Sequence, residues 1–379
     1  TANSMIKSDE VDTKTVQSTI LILIDRLENS NLVSDRKSSI QSLKSFSREN
    51  REFIIENGIK QILNTLKKDS ESSDMIQLVL ETLLNLLLRT TNSSISKDFK
   101  MVYQSKKNNK RLQYGKYPSP IVLNEDYNDI FDDFSIWITD EFLKMKNFSL
   151  QLLIDTLNSD TEQNFYLKFY CILTLEAVFS IRPELAIEDL IQIPTSLNTL
   201  INLLDDENVQ IKNETLLLLI SLVDNESKIG YDTTHLKSLI VFEGIFNKLF
   251  GIILNEKEDT IIRNDCLVLI NSLLKYNTMN QRIFVEDMKN LDGIISALWK
   301  YVHGPFQWVM NSDTDEDLNI LSNIILIINS LVEEGTDITT ENQNRLYFDS
   351  SISMVLIQLC FNPDILIDYR IAFLDCLSR

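Results

Sequence analysis

The fold of this chain is decided by the stretch Ile211-Lys212-Asn213-Glu214-Thr215-Leu216 and by two further copies of its pattern. One copy stands 44 residues earlier, as LKFYCI at 167–172, and the other 51 residues later, as IRNDCL at 262–267. Each copy reads aliphatic, basic, any residue, polar, small, aliphatic. The small residue suits a point where neighbouring helices approach closely; in the three copies it is Cys171, Thr215 and Cys266.

Two longer-range matches support a repeat of the same length. LNTL occurs at 63–66 and again at 197–200, and ETLL occurs at 81–84 and again at 214–217, so the offsets are 134 and 133 residues. Three units of about 44–45 residues fill such an offset, and solenoid repeats of two or three helices are about 40–47 residues long. The sequence therefore predicts an all-α, armadillo-like, right-handed α-solenoid of about 8–9 repeats.

Apolar periodicity predicts which helices lie inside the solenoid. The segments 216–223, 267–274 and 324–332 are apolar nearly all round, which is typical of helices buried on every side. Acidic or Ser-rich turns come before several helices, at 69–74, 205–208, 256–259 and 312–317, and these suit helix N-termini. Three glycines, each followed by an aliphatic residue and then by Leu at the fifth position, are expected at breaks between helices: Gly58, Gly244 and Gly293.

The composition limits the classes of function. Gly and Pro together number 14 of 379 residues, and the net charge is −19, so neither a turn-rich β fold nor nucleic-acid binding is expected. The longest apolar runs are five residues, far below a membrane span. No signal peptide opens the chain. Four cysteines without a CxxC pair are expected to be reduced and buried: Cys171, Cys266, Cys360 and Cys376.

Catalytic and metal-binding motifs are missing from the sequence. It has no P-loop, GxGxxG, HExxH, GxSxG or EF-hand loop, and its two histidines, His235 and His303, do not stand at metal or triad spacing. We therefore expect no enzyme, no metal and no cofactor. Importins bind extended basic peptides with a regular row of Asn and Trp side chains on their inner helices, the importin-like ladder. Such a ladder is disfavoured here, because the corresponding positions are Glu176, Ile220, Asn271 and Asn329.

The repeat pattern is interrupted between about 90 and 134, which we interpret as an inserted loop region. Seven basic residues fall between 97 and 116, where Asp98 is the only acid, and an acidic stretch follows at 125–133. One interpretation is a solvated loop, and the other is a docking element for an acidic partner or anionic lipid. Trp308 has a loop-like context and is a candidate partner anchor, whereas Trp299 is expected in the core. The candidate partner-binding residues are Lys97, Lys100, Lys106, Lys107, Lys110, Arg111, Lys116, Tyr117 and Trp308.

Several stretches resemble one family. The segments 25–30, 34–37 and 43–48 are similar to the start of the globular head of the general vesicular transport factor family, the coiled-coil tethers of ER-to-Golgi traffic. The stretches 241–246, 264–277 and 280–281 resemble the same head further on, and the loop 115–120 (GKYPSP) resembles its fungal members. The order and spacing of these stretches are kept.

The resemblance implies an armadillo-type head of a parallel homodimer at Golgi membranes, ER-derived vesicles and ER exit membranes. It implies binding to a Rab-type small GTPase, SNARE proteins and other Golgi tethering factors, and a C-terminal coiled coil and acidic tail. We then expect a flexible N-terminus with a tag scar at 1–16 and a single head domain at 17–379, truncated before the tail. The leading hypothesis is a non-enzymatic, cytoplasmic tethering scaffold. The alternatives are an armadillo cargo adaptor binding basic peptides in an acidic groove and a nucleotide exchange factor.

Overall fold

The computed structural model describes residues 2–87, 132–145, 148–159, 164–223, 232–303, 312–332 and 338–379. Over these residues the chain forms 19 α-helices and no strand. The packing of the helices divides the described chain into two compact units, one up to Thr199 and one from Leu200 to Arg379. The single domain at 17–379 and its insertion at 90–134 stay predictions.

The first unit contains eight complete helices and the beginning of a ninth. They are α1 (Ala2–Asn29), α2 (Val33–Phe46), α3 (Arg51–Lys68), α4 (Ser73–Leu87), α5 (Asp133–Leu143), α6 (Phe148–Asn158), α7 (Phe165–Ile181), α8 (Pro183–Ile191) and α9 (Ser196–Asn202). Helices pack on their counterparts in the next repeat: α1 contacts α3, α2 contacts α4, α3 contacts α5, and α4 contacts α7.

The second unit continues with ten helices. They are α10 (Val209–Val223), α11 (Thr234–Phe242), α12 (Ile245–Ile253), α13 (Thr260–Leu274), α14 (Thr278–Glu286), α15 (Met288–His303), α16 (Ser312–Val332), α17 (Thr339–Asn344), α18 (Ile352–Phe361) and α19 (Ile367–Ser378). Three rows of helices run through the unit, one of α10, α13, α16 and α19, one of α12, α15 and α18, and one of α11, α14 and α17. Three rows of this kind are what stacked three-helix repeats produce, so the predicted solenoid class is confirmed.

The inner helices are those that the sequence indicates. Helix α13 lies between α10 and α16, and its residues 266–270 are all at most 6% exposed. An all-round apolar helix removes most of its surface from water at roughly 25 cal/mol per Å², which makes this row the core of the unit. The predicted small positions Cys171, Thr215 and Cys266 are all 0% exposed.

The four cysteines are free and buried, as predicted. Burial raises the pKa of the Cys171 and Cys266 thiols far above the usual value, and it raises the pKa of Cys376 to about 12. Such thiols stay protonated and unreactive at neutral pH.

Of the predicted acidic or Ser-rich turns, 205–208 and 256–259 directly precede helices and 69–74 runs into the start of α4, but 312–317 forms the first residues of α16 and is not a turn before it. Asp259 Oδ1 accepts a hydrogen bond of 2.8 Å from the Ile261 N–H at the start of α13, and Asn208 Oδ1 accepts one of 2.9 Å from the Gln210 N–H at the start of α10. These side chains satisfy amides that have no partner within the helix.

Two of the three glycine predictions are wrong. Gly244 does separate α11 from α12, with φ at +79°, but Gly58 lies inside α3 and Gly293 inside α15. These two glycines serve close packing instead. A Cβ at Gly58 would lie 2.7 Å from Ile24 Cδ1, and a Cβ at Gly293 would lie 2.5 Å from Phe250 Cδ1. In both cases the glycine lets a helix approach its counterpart in the preceding repeat.

Candidate partner-binding surface

The predicted docking residues lie outside the described residues. This holds for Lys97, Lys100, Lys106, Lys107, Lys110, Arg111, Lys116, Tyr117 and Trp308. The residues that flank the segment 88–131 are described, however, and they meet in one place. Leu87 ends α4 and Asp132 is the N-cap of α5; Leu87 accepts a hydrogen bond from Ser135 of α5, and Asp132 accepts from Arg51 of α3.

Arg51, the first residue of α3, joins these two ends. Its Nε donates to the Leu86 carbonyl oxygen at 2.7 Å, while Nη1 and Nη2 donate to the two carboxylate oxygens of Asp132 at 2.7 and 2.8 Å. The guanidinium carbon also lies 5.8 Å from the centre of the Phe134 ring. A planar guanidinium matches a carboxylate in this two-point arrangement, which a lysine could not reproduce.

Ser135 closes the same cluster from the side of α5. Its Oγ donates to the Leu87 carbonyl oxygen at 2.6 Å and accepts from the Asp132 N–H at 3.2 Å, while Asp132 Oδ1 accepts from the Ser135 N–H at 3.0 Å. The reciprocal pair is a capping box, which satisfies free amides at the start of α5. We call this cluster the Arg51 clamp; it comprises Arg51, Leu86, Leu87, Asp132, Phe134 and Ser135.

The ion pair of the clamp is mostly buried and stays charged at neutral pH. The side chains of Arg51 and Asp132 are 9% and 20% exposed. Burial of Asp132 raises its pKa, but the hydrogen bonds and charge of Arg51, with the bonds from Ser135, outweigh burial and lower this pKa to about 2. Asp132 is therefore ionised at all physiological pH values, and the clamp stays closed. The role of the clamp is structural: it joins the residues that flank the 44-residue segment 88–131.

Sequence reasoning misses the clamp as a unit. In the sequence Asp132 is one acid of the acidic stretch at 125–133, and Arg51 stands in the segment NREFIIEN at 50–57, which is similar to NQRIFVED at 280–287. The Asp-x-x-Ser spacing of Asp132 and Ser135 is the available signal, since it is typical of a helix N-terminus. The pairing with Arg51 bridges 81 residues and has no local signal.

One aromatic prediction is wrong. Trp299 stands six residues after Gly293, as Phe250 stands six residues after Gly244, and this match predicts Trp299 in the core. The side chain of Trp299 is 49% exposed, however, whereas that of Phe250 is 6% exposed. Phe250 is covered because Gly293 lets α15 approach its ring. Helix α18, which packs on α15, has no glycine.

The residues at the positions of the importin-like ladder are buried or bonded to other residues of this chain. Asn271 Oδ1 accepts from Ser330 Oγ at 3.0 Å, and Asn329 Oδ1 accepts from Cys376 Sγ at 3.3 Å. Glu176 and Ile220 are each 5% exposed. These contacts join helices of the core, so the ladder does not form a row of free amides for a peptide.

The described ranges offer neither a metal site nor a membrane span. No group of three or more His, Cys, Asp and Glu side chains is arranged there to hold a metal ion. Among the described helices, none combines the length and the apolar character needed to cross a membrane.

Comparisons with known proteins decide the family. No family model matches the chain. The intracellular protein transport protein USO1 of Saccharomyces cerevisiae is 38% identical over 350 residues, which are 92% of this chain and 18% of that protein. General vesicular transport factor p115 of Homo sapiens is 24% identical over 270 residues, 71% of this chain and 24% of that protein. The chain belongs to the general vesicular transport factor family.

Solved structures of the family agree in fold. The crystal structure of Uso1-2 covers 97% of this chain with a TM-score of 0.81 and 37% identity, and the chain covers 51% of it. A computationally designed armadillo repeat protein, 12% identical, covers 81% of the chain with a TM-score of 0.52, which supports the armadillo-like fold alone. The chain thus spans under a third of these curated family members and about half of the solved one. These relatives are named as transport proteins, in agreement with the expectation of a non-enzymatic chain.

Proposed function

We propose that this chain is a non-enzymatic vesicle-tethering scaffold in ER-to-Golgi transport. The observation that carries the proposal is the match to Uso1-2 over 97% of the chain, because it extends through the helical surfaces on which partners would bind. The surfaces would bind a Rab-type small GTPase, SNARE proteins and other tethering factors. The full-length protein would be a homodimer, cytoplasmic and peripheral on Golgi, ER-derived vesicle and ER exit membranes.

Within this role, the basic segment 97–116 is our proposed docking element. It carries seven basic residues and one acid in a chain whose net charge is −19, so it is the place where an acidic partner would meet the least repulsion. The Arg51 clamp supports this role, because a segment with both ends held at one point loses less conformational freedom on binding. Trp308 is a second proposed anchor.

The experiment is a binding titration of this chain against the ER–Golgi Rab-type GTPase. The GTPase is loaded with a non-hydrolysable GTP analogue or with GDP, and affinity is measured at 50 and 200 mM salt. We expect at least tenfold preference for the GTP form, with weaker binding at the higher salt concentration. Absence of binding to both forms would refute the GTPase role for this chain.

A charge-reversed variant tests the docking element separately. Lys106, Lys107, Lys110 and Arg111 are replaced by Glu, which should weaken binding at least tenfold if the acidic partner meets this segment. The control replaces four exposed lysines elsewhere with Glu: Lys60, Lys67, Lys257 and Lys289. Equal loss in both variants would show that only net charge matters and would refute the docking role of 97–116.

A further inference from the structure

A polar groove lies within the second unit, between the start of α10 and the outer face of α12. Its volume is about 520 Å³, within the range of ligand sites in proteins. The lining residues are Leu204, Asp205, Lys212, Asn247, Lys248, Gly251, Ile252, Asn255 and Glu258. Two of these nine are aliphatic and four are charged, so a ligand in the groove would meet charged groups as well as apolar surface.

Gly251 in this groove has no explanation in the fold. Gly58 and Gly293 allow helices to pack closely, and Gly244 adopts a positive φ. Gly251 lies inside α12, and a Cβ built on it would meet nothing within 4 Å. Glycine weakens a helix interior relative to alanine, so one that packing does not require indicates another use. Here it keeps the floor of the groove open to a close approach by another chain.

The groove contains two ion pairs that differ in their exposure to water. Lys212 and Glu258 form an ion pair of 2.7 Å and are 14% and 9% exposed, so this pair belongs to the framework. Lys248 pairs with Asp205, but Asp205 is 63% exposed and water competes for it. The lining itself carries two acids and two lysines, and the turns beside it, 205–207 and 256–259, add four further carboxylates against Lys257.

We propose that this groove binds an extended peptide segment that carries a basic side chain. The peptide backbone crosses Gly251, where no side chain blocks it. The amides of Asn247 and Asn255 are both exposed and offer donors and acceptors to its backbone; Asn255 Oδ1 also accepts from the Lys257 N–H at 3.1 Å. Asp205 receives the basic side chain, in exchange for its solvent-exposed pairing with Lys248. The lining shares no residue with the engaged ladder of the inner helices, and binding here does not depend on the tethering role.

The test uses two fluorescein-labelled octapeptides as probes, one alternating Ser and Lys and one alternating Ser and Glu. Binding to the whole chain is measured by fluorescence polarisation at 50 and 200 mM salt. We expect the lysine peptide to bind at both salt concentrations, and the glutamate peptide to bind at least tenfold more weakly. Lack of binding by the lysine peptide would overturn the proposal.

Three variants separate the groove from general charge attraction. Gly251→Gln fills the groove without changing charge, and it should weaken binding of the lysine peptide at least tenfold while the circular dichroism spectrum is unchanged. Asp205→Asn should weaken it about fivefold. Asp364→Asn removes an exposed carboxylate elsewhere in the same unit and should change the affinity for the lysine peptide less than twofold. Undiminished binding by Gly251→Gln, or equal losses in the two Asp variants, would overturn the site.

Discussion

Replacement of Asp132 by Asn should weaken the first unit through the Arg51 clamp. The carboxylate has a pKa of about 2 in the folded chain and an ordinary value of 3.8, a difference of nearly two pKa units. At roughly 1.4 kcal/mol per unit, its ionised form contributes about 2 kcal/mol to stability at neutral pH. The variant also leaves the Arg51 charge buried without its carboxylate, so we expect a loss of about 2–3 kcal/mol.

The assay uses Trp137, which lies in α5 close to the clamp. Trp299 and Trp308 are replaced by Phe so that fluorescence reports on α5 alone, because a chain of two units need not unfold in one step. Urea titrations at pH 7 compare Asp132→Asn with the parent. Asp133→Asn is the matched control, since Asp133 is the adjacent, exposed acid and should change stability by less than about 0.5 kcal/mol.

The pH dependence of the same difference gives a second check. Because the folded pKa of Asp132 is lowered, the extra stability is present above about pH 4 and is lost as the pH falls towards 2. The parent and Asp132→Asn should therefore converge in that range. A loss below about 0.5 kcal/mol at pH 7, or a difference that persists unchanged down to pH 2, would refute the electrostatic account of the clamp.

Three further substitutions test helix packing and backbone conformation, and a fourth tests self-association of the chain. Gly251→Ala should stabilise the chain by up to about 1 kcal/mol, because it adds helix propensity in open space, whereas Gly293→Ala should destabilise it by about 1–3 kcal/mol through the clash with Phe250. Tyr276→Gly should stabilise by about 1 kcal/mol, because Tyr276 has φ at +59° and is 66% exposed. Phe361, 76% exposed, belongs to an apolar face of α18 and α19, and Phe361→Glu should lower self-association of this chain.

Urea unfolding measures the first three variants, and sedimentation velocity at several protein concentrations measures the fourth. Phe250→Leu combined with Gly293→Ala should recover part of the lost stability, and no recovery would contradict the clash. A destabilised Tyr276→Gly variant would show that the exposed ring contributes more than the backbone strain costs. Unchanged sedimentation of Phe361→Glu would exclude this face as the contact between copies.

The glycines show where sequence reasoning succeeds and where it fails. Gly244 is correctly predicted at a helix break, and its role is local: the chain turns there with a positive φ. Gly58 and Gly293 share the same flanking pattern, yet their role depends on Ile24 and Phe250 in another helix. A pattern along the chain cannot report a contact whose other half lies more than 30 residues away.

The sequence by itself determined the all-helical class, the repeat, and the inner row of helices. These follow from local physics, since a helix that is apolar on every side must be buried on every side, as α13 is between α10 and α16. Only the tertiary structure decided the pairing of Arg51 with Asp132, the exposure of Trp299 and the open floor at Gly251. Each of these depends on how closely one helix approaches another, which is set by side chains distant in the sequence and not by the periodicity of either helix.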